Sequence, residues 1–154
     1  MSFPMQYALT HLLTDLIGRK VTFTLVTSGQ ETQARQVYGI YRRLSNEAPL
    51  VVKADLPLLG SFAGTLVGLS DTDVQSRLAG PSIEELFTDA IYEVLNVASS
   101  AITSEGRPVL SKMVTDCADI KGTAAETIVM KPNHKIDFNV VVEGYRGGRF
   151  TVLS

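Results

Sequence analysis

The apolar residues of this chain keep helical and strand periods in separate blocks, and that separation limits the folds open to it. Residues 4–17 carry Tyr7, Ala8, Leu12, Leu13, Leu16 and Ile17 near helical spacing and stop at Gly18, a suitable C-terminal cap. Residues 20–27 alternate Val21, Phe23 and Leu25 with Thr22 and Thr24, the period of a half-buried strand. After a polar loop at 28–35, strand patterns at 37–44 and 50–55 flank Ser45-Asn46-Glu47-Ala48-Pro49, which predicts an antiparallel hairpin. Residues 58–69 are nearly all apolar or small, with Asp55 as a cap and Pro57 in a first turn, and read as a buried helix. Residues 70–80 read as a polar link.

A third helix is expected from the capping-box sequence Ser82-Ile83-Glu84-Glu85 to about Thr103, where Gly106 and Pro108 stop it. Strands follow at 109–117, 135–145 and, after Gly147-Gly148, at 149–153, so the chain ends in a hairpin; residues 118–127 carry no clear period. Strands and helices in blocks, without regular βαβ alternation, predict an α+β fold on a mainly antiparallel sheet packed with a long helix. One domain over residues 1–154 accommodates all of it.

Fourteen basic and sixteen acidic residues give a formal charge of −2, and no stretch concentrates Lys and Arg. Nucleic acid is therefore not an expected partner. No apolar run approaches the roughly 18 residues of a membrane span and the N-terminus lacks a secretory pattern, so a cytoplasmic chain with no membrane association is expected. The single cysteine, Cys117, with only His11 and His134 beside it, excludes a spaced Cys/His zinc pattern, and Cys117 reads as a small strand residue without chemistry. Gly60, Gly64 and Gly68 recur every fourth residue in a span too short for a membrane, which predicts a close helix contact in the core.

The third helix contains the run Asp89-Ala90-Ile91-Tyr92-Glu93-Val94-Leu95-Asn96. At the helical repeat, Asp89, Glu93 and Asn96 fall within roughly 60° of one another. Leu86, Ala90, Val94, Val97 and Ala101 are expected to gather on the opposite, core-facing side. Two acids and an amide thus share an exposed stripe, with the ring of Tyr92 at its edge.

This Asp-x-x-x-Glu-x-x-Asn pattern, in a chain of this length and element order, resembles the CheC/CheX/FliY family of chemotaxis phosphatases, and CheX most among them. The resemblance covers most of the chain, including the strand sequence Tyr38-Gly39-Ile40-Tyr41, although the eight-residue motif is its specific part. It implies that Glu93 and Asn96 are the active pair, acting on the aspartyl phosphate of a CheY-type response regulator. The partner would bring the phosphorylated aspartate and its Mg2+, so this chain needs no cofactor of its own. Asn96 would accept a hydrogen bond from water and orient it for in-line attack, and Glu93 would dock against a partner lysine. Asp89 and Tyr92 would support partner binding.

The sequence also departs from the family pattern. A proline commonly stands 23 positions beyond the asparagine, where this chain has Asp119, and Pro108 comes far too early. Small residues with glycine commonly follow the asparagine, whereas Asn96 leads into Val97-Ala98-Ser99-Ser100, which preserves the smallness but lacks glycine. A single motif matches the one-site arrangement, and relatives of that type form dimers by sheet pairing; the strand at 135–145 is the expected free edge. The competing reading is a non-catalytic module that docks a regulator or another partner through the same helix. A small-ligand domain using the loops at 28–35 and 118–127 is a third, for which neither loop supplies a phosphate-cradling glycine pattern.

Overall fold

The computed structural model describes residues 2–27, 33–46, 48–103 and 106–154, with the backbone alone at residues 2–4. Helix α1 (Ser2–Ile17) leads into β1 (Val21–Leu25), β2 (Gln36–Arg42) and β3 (Pro49–Asp55). Three helices follow, α2 (Leu56–Val67), α3 (Asp71–Leu78) and α4 (Glu85–Ala98), then β4 (Val109–Val114), α5 (Glu126–Met130), β5 (Lys135–Val142) and β6 (Tyr145–Leu153). Among the described residues, six strands form one sheet in the order β1-β5-β6-β3-β2-β4. Every pairing in it is antiparallel, so the fold is α+β as the block pattern predicts. Residues 28–32 of the expected first loop lie outside the described residues.

One face of the sheet holds the main core. Leu9 and Leu13 of α1, Leu59 and Phe62 of α2, and Phe87 and Ile91 of α4 bury against Val52, Phe138, Phe150 and their neighbours. Phe23 meets Phe138 and Phe150 edge-on at 5.5 and 5.4 Å, the favoured geometry for aromatic quadrupoles. The helical stripe of α1 is rotated from its expected position: Leu9 is fully buried while Tyr7 and Ala8 are exposed. The opposite sheet face carries a smaller cluster of Tyr38, Ile40, Val51, Val114 and Leu153, covered by Ile120 and Ala125 with Ile128 and Val129 of α5.

Residues 71–78, expected within a polar link, form a helix instead. Ser70 caps it by accepting a hydrogen bond from the Asp73 amide, Asp71 and Asp73 stand in its first turn, and Arg77 stands in its last. Its buried residues, Val74 and Leu78, fill the notch left by Gly60 and Gly64, where any added Cβ would overlap them. The glycine spacing is therefore a helix-packing device at its first two positions. Gly68 serves a separate purpose, capping α2 with a φ of 79°.

The terminal hairpin turns at Gly144, whose φ is 78°, and not at the Gly147-Gly148 pair. Those two glycines lie inside β6 because backbone and side chains crowd them: a Cβ on Gly148 would approach Asp55 Oδ2 to 2.8 Å, and one on Gly147 would strike the Val140 carbonyl. Strand β5, expected as a free edge, is enclosed between β1 and β6. Its apolar residues Phe138, Val140 and Val142 face the core, which explains their hydrophobicity without a second subunit. Cys117, expected in a strand, is exposed in a 3-10 turn at Cys117–Ile120, together with Asp119.

Candidate functional site

Helix α4 is set on the sheet through Phe87, Ile91, Val94, Leu95 and Ala98, all buried. Gly39 on β2 lets Leu95 approach closely, since a Cβ there would lie 3.3 Å from Leu95 Cδ1. The buried Tyr41 hydroxyl donates to the Leu95 carbonyl at 2.6 Å. Leu86 and Val97, expected on this core side, do not join it: Leu86 is 47% exposed and Val97 half-buried. The large ring of Phe87 sets the helix rotation and swings Leu86 toward solvent.

The start of the helix also differs from expectation. It begins at Glu85, and no side chain caps it: the Glu84 carbonyl accepts from the Phe87 and Thr88 amides, while the Glu84 carboxylate pairs with Arg77 at 3.5 Å. The expected Ser82 capping box does not form. The helix ends at Ala98, short of Thr103, and continues as a 3-10 turn over Ser99–Ala101.

Outward, the four sequence-predicted site residues share one face of this helix. Asp89 and Glu93 are exposed, and Asn96 is half-buried. Among the described residues, no side-chain hydrogen bond or ion pair engages Asp89, Glu93 or the Asn96 amide, so the amide is available to a molecule arriving from outside. Tyr92, 41% exposed, leans toward β4, where its hydroxyl donates to the Leu110 carbonyl at 3.3 Å. Its ring thus borders the stripe on the Asn96 side, while exposed Leu86 and half-buried Val97 border the other.

Two residues that sequence reasoning did not single out complete the C-terminal end of this face. Ser99 Oγ donates to the Asn96 carbonyl at 2.6 Å, and Arg107 reaches back from the chain before β4. Its Nε donates to Ser99 Oγ at 2.8 Å and its Nη2 to the Asn96 carbonyl at 3.1 Å. The helix end leaves carbonyls without intrahelical partners and a partial negative charge, both of which an arginine satisfies. The eleven-residue separation of Arg107 from Asn96 hides this contact from any helical-spacing argument.

Elsewhere, a shallow depression of about 600 Å³ lies near Asp55, Asn139 and Arg146. The buried Asp55 carboxylate beside it is already engaged, accepting from Gln36 Nε2 at 2.6 Å and the Arg149 amide at 2.9 Å. Among the described residues, no group of three or more His, Cys, Asp or Glu side chains is placed to hold a metal ion, and no helix is long and apolar enough to cross a membrane.

No protein-family model and no curated protein matches the chain. Solved structures do. Thermotoga maritima FliY superposes with a TM-score of 0.66 at 15% identity, over 99% of this chain and 85% of that one. FliM in the FliM–SpeE complex from H. pylori gives 0.69 at 11% identity, over 97% and 80%. The FliG–FliM complex from H. pylori gives 0.58 at 10% identity, over 97% and 86%. The chain therefore has the fold shared by FliY and FliM.

Proposed function

We propose that this protein binds a phosphorylated CheY-type response regulator through the outer face of α4 and hastens hydrolysis of its aspartyl phosphate. The observation that carries this reading is the Asn96 amide, without a partner among the described residues, beside exposed Glu93 on one helix face, within a FliY-like fold. An acyl phosphate is already activated, so catalysis needs positioning and charge compensation more than new covalent chemistry. Asn96 supplies the positioning: its side-chain carbonyl oxygen accepts a hydrogen bond from water and aligns it behind the phosphorus. Glu93 supplies the docking contact, pairing with a lysine of the regulator, and Asp89 extends the same acidic surface one turn away. The regulator contributes the phosphorylated aspartate and its Mg2+. A single motif favours a one-site, CheX-like arrangement.

The test uses the response regulators encoded in the same genome, each phosphorylated with a small phosphodonor and followed for loss of phosphate. The protein should accelerate loss from at least one of them, and Asn96→Ala should reduce that acceleration on the order of 10²-fold with the fold intact. No acceleration of any regulator would sink the reading.

The alternative is a non-catalytic module that docks a regulator or other partner by the same surface. Two observations favour it: Asp119 stands exposed where the family pattern has proline, and FliM, which shares the fold, is found in complexes with SpeE and FliG. Binding without acceleration, abolished by charge reversal at Glu93, would select this alternative.

A further inference from the structure

The face that must receive a phosphoryl group is electrostatically unsuited to one. Asp89 and Glu93 carry negative charge, and α4 ends at this point, so its last carbonyls add a partial negative potential. An aspartyl phosphate brought toward Asn96 would meet like charge from three directions. The one described cation anchored to Asn96 itself is Arg107: Nη2 lies 3.1 Å from the Asn96 carbonyl and Nε lies 2.8 Å from Ser99 Oγ. Arg107 is exposed, and among the described residues the remaining N–H groups of its fork have no partner.

We infer that Arg107 is the phosphoryl-recognising residue of this site, its guanidinium held beside Asn96 to receive the equatorial oxygens of the partner's aspartyl phosphate. This deepens the proposed function and rests on it. The two hydrogen bonds fix the fork before the partner arrives, so little side-chain entropy is lost on docking. The free edge of a planar, permanently charged fork suits phosphoryl oxygens, and it neutralises the helix end that would otherwise repel them. During in-line displacement the charge on those oxygens is stabilised by the same group, as an arginine does in other phosphoryl transfers. In the register, Arg42 of β2 lies opposite Val109 of β4, so the chain carrying Arg107 enters the sheet at the end where β2 leaves it.

The experiment compares wild type, Arg107→Gln, Arg107→Lys and Asn96→Ala against whichever same-genome regulator the wild type dephosphorylates. Binding is measured to that regulator with and without beryllofluoride, a mimic of the aspartyl phosphate. Arg107→Gln should weaken binding of the beryllofluoride form about tenfold, leave binding of the free form unchanged, and lower kcat on the order of 10²-fold. Arg107→Lys should recover part of the kcat, because it restores charge without the fork. A merely structural role would lower the melting temperature and weaken both regulator forms alike, and that result overturns the inference. Wild-type kcat in Arg107→Gln, with Asn96→Ala inactive, also overturns it while leaving the proposed function standing. A wild type that dephosphorylates no regulator overturns both.

Discussion

Asn96 differs from Asp89 and Glu93 in being half-buried, and Ser99 and Arg107 grip its backbone carbonyl while no described residue bonds its side chain. That is the arrangement expected of a group that positions water: a fixed main chain with an available amide. Glu93, exposed on the helix face, suits docking, so Glu93→Gln should raise KM for the phosphorylated regulator about tenfold with kcat largely retained, as read from steady-state kinetics. Beneath the site, Tyr41→Phe removes the hydroxyl that the Leu95 carbonyl accepts and should cost about 1 kcal/mol in urea unfolding. Burial, and to a lesser extent the nearby Tyr92, pushes the Tyr41 phenol far above its ordinary value of 10.0. The folded state therefore holds this proton more tightly than the unfolded chain does. The resulting stability is complete below about pH 10 and is lost as pH rises beyond it. Tyr41→Phe should accordingly show a shallower alkaline loss of stability than wild type.

Among the elements, α3 and α4 show what local pattern can and cannot indicate. The 3.6-residue stripe of α4 is legible in Ile91, Val94, Asp89, Glu93 and Asn96, yet its rotation, start and end depend on Phe87, Arg77 and Arg107, which act through contacts distant in sequence. Helix α3 buries only Val74 and Leu78, too few apolar residues to register as a period, and its place is set by the glycine notch of α2. Gly64→Val should therefore push α3 off α2 and destabilise the protein by about 1–3 kcal/mol, measured by chemical denaturation. Gly18→Ala, at a φ of 71° with open space around it, should cost about 1 kcal/mol through backbone strain alone.

At the scale of the molecule, the sheet order decides which surfaces remain for partners. Strand β5 has neighbours on both sides, so among the described strands β1 and β4 are the edges, and a homodimer by sheet extension would use one of them. Such a dimer predicts that light scattering at rising protein concentration doubles the mass. Hydrogen exchange would then protect β1 or β4 amides selectively; a constant monomer mass removes the idea. Strand β4 also carries the Leu110 carbonyl that takes the Tyr92 hydroxyl and begins two residues after Arg107, so an edge dimer there would adjoin the motif face.

The sequence by itself determined the α+β class, the β2–β3 and terminal hairpins, and the shared stripe of Asp89, Glu93 and Asn96, because each follows from periods and turns spanning a few residues. Tertiary structure alone decided the enclosure of β5, the glycine pair inside β6, the docking of α3 and the clasp of Arg107 on Asn96. Each of those joins residues remote in the chain, where burial, steric fit and charge at a helix end act across space and leave no periodic trace. The polar stripe was legible as a pattern; the arginine held against its end was not.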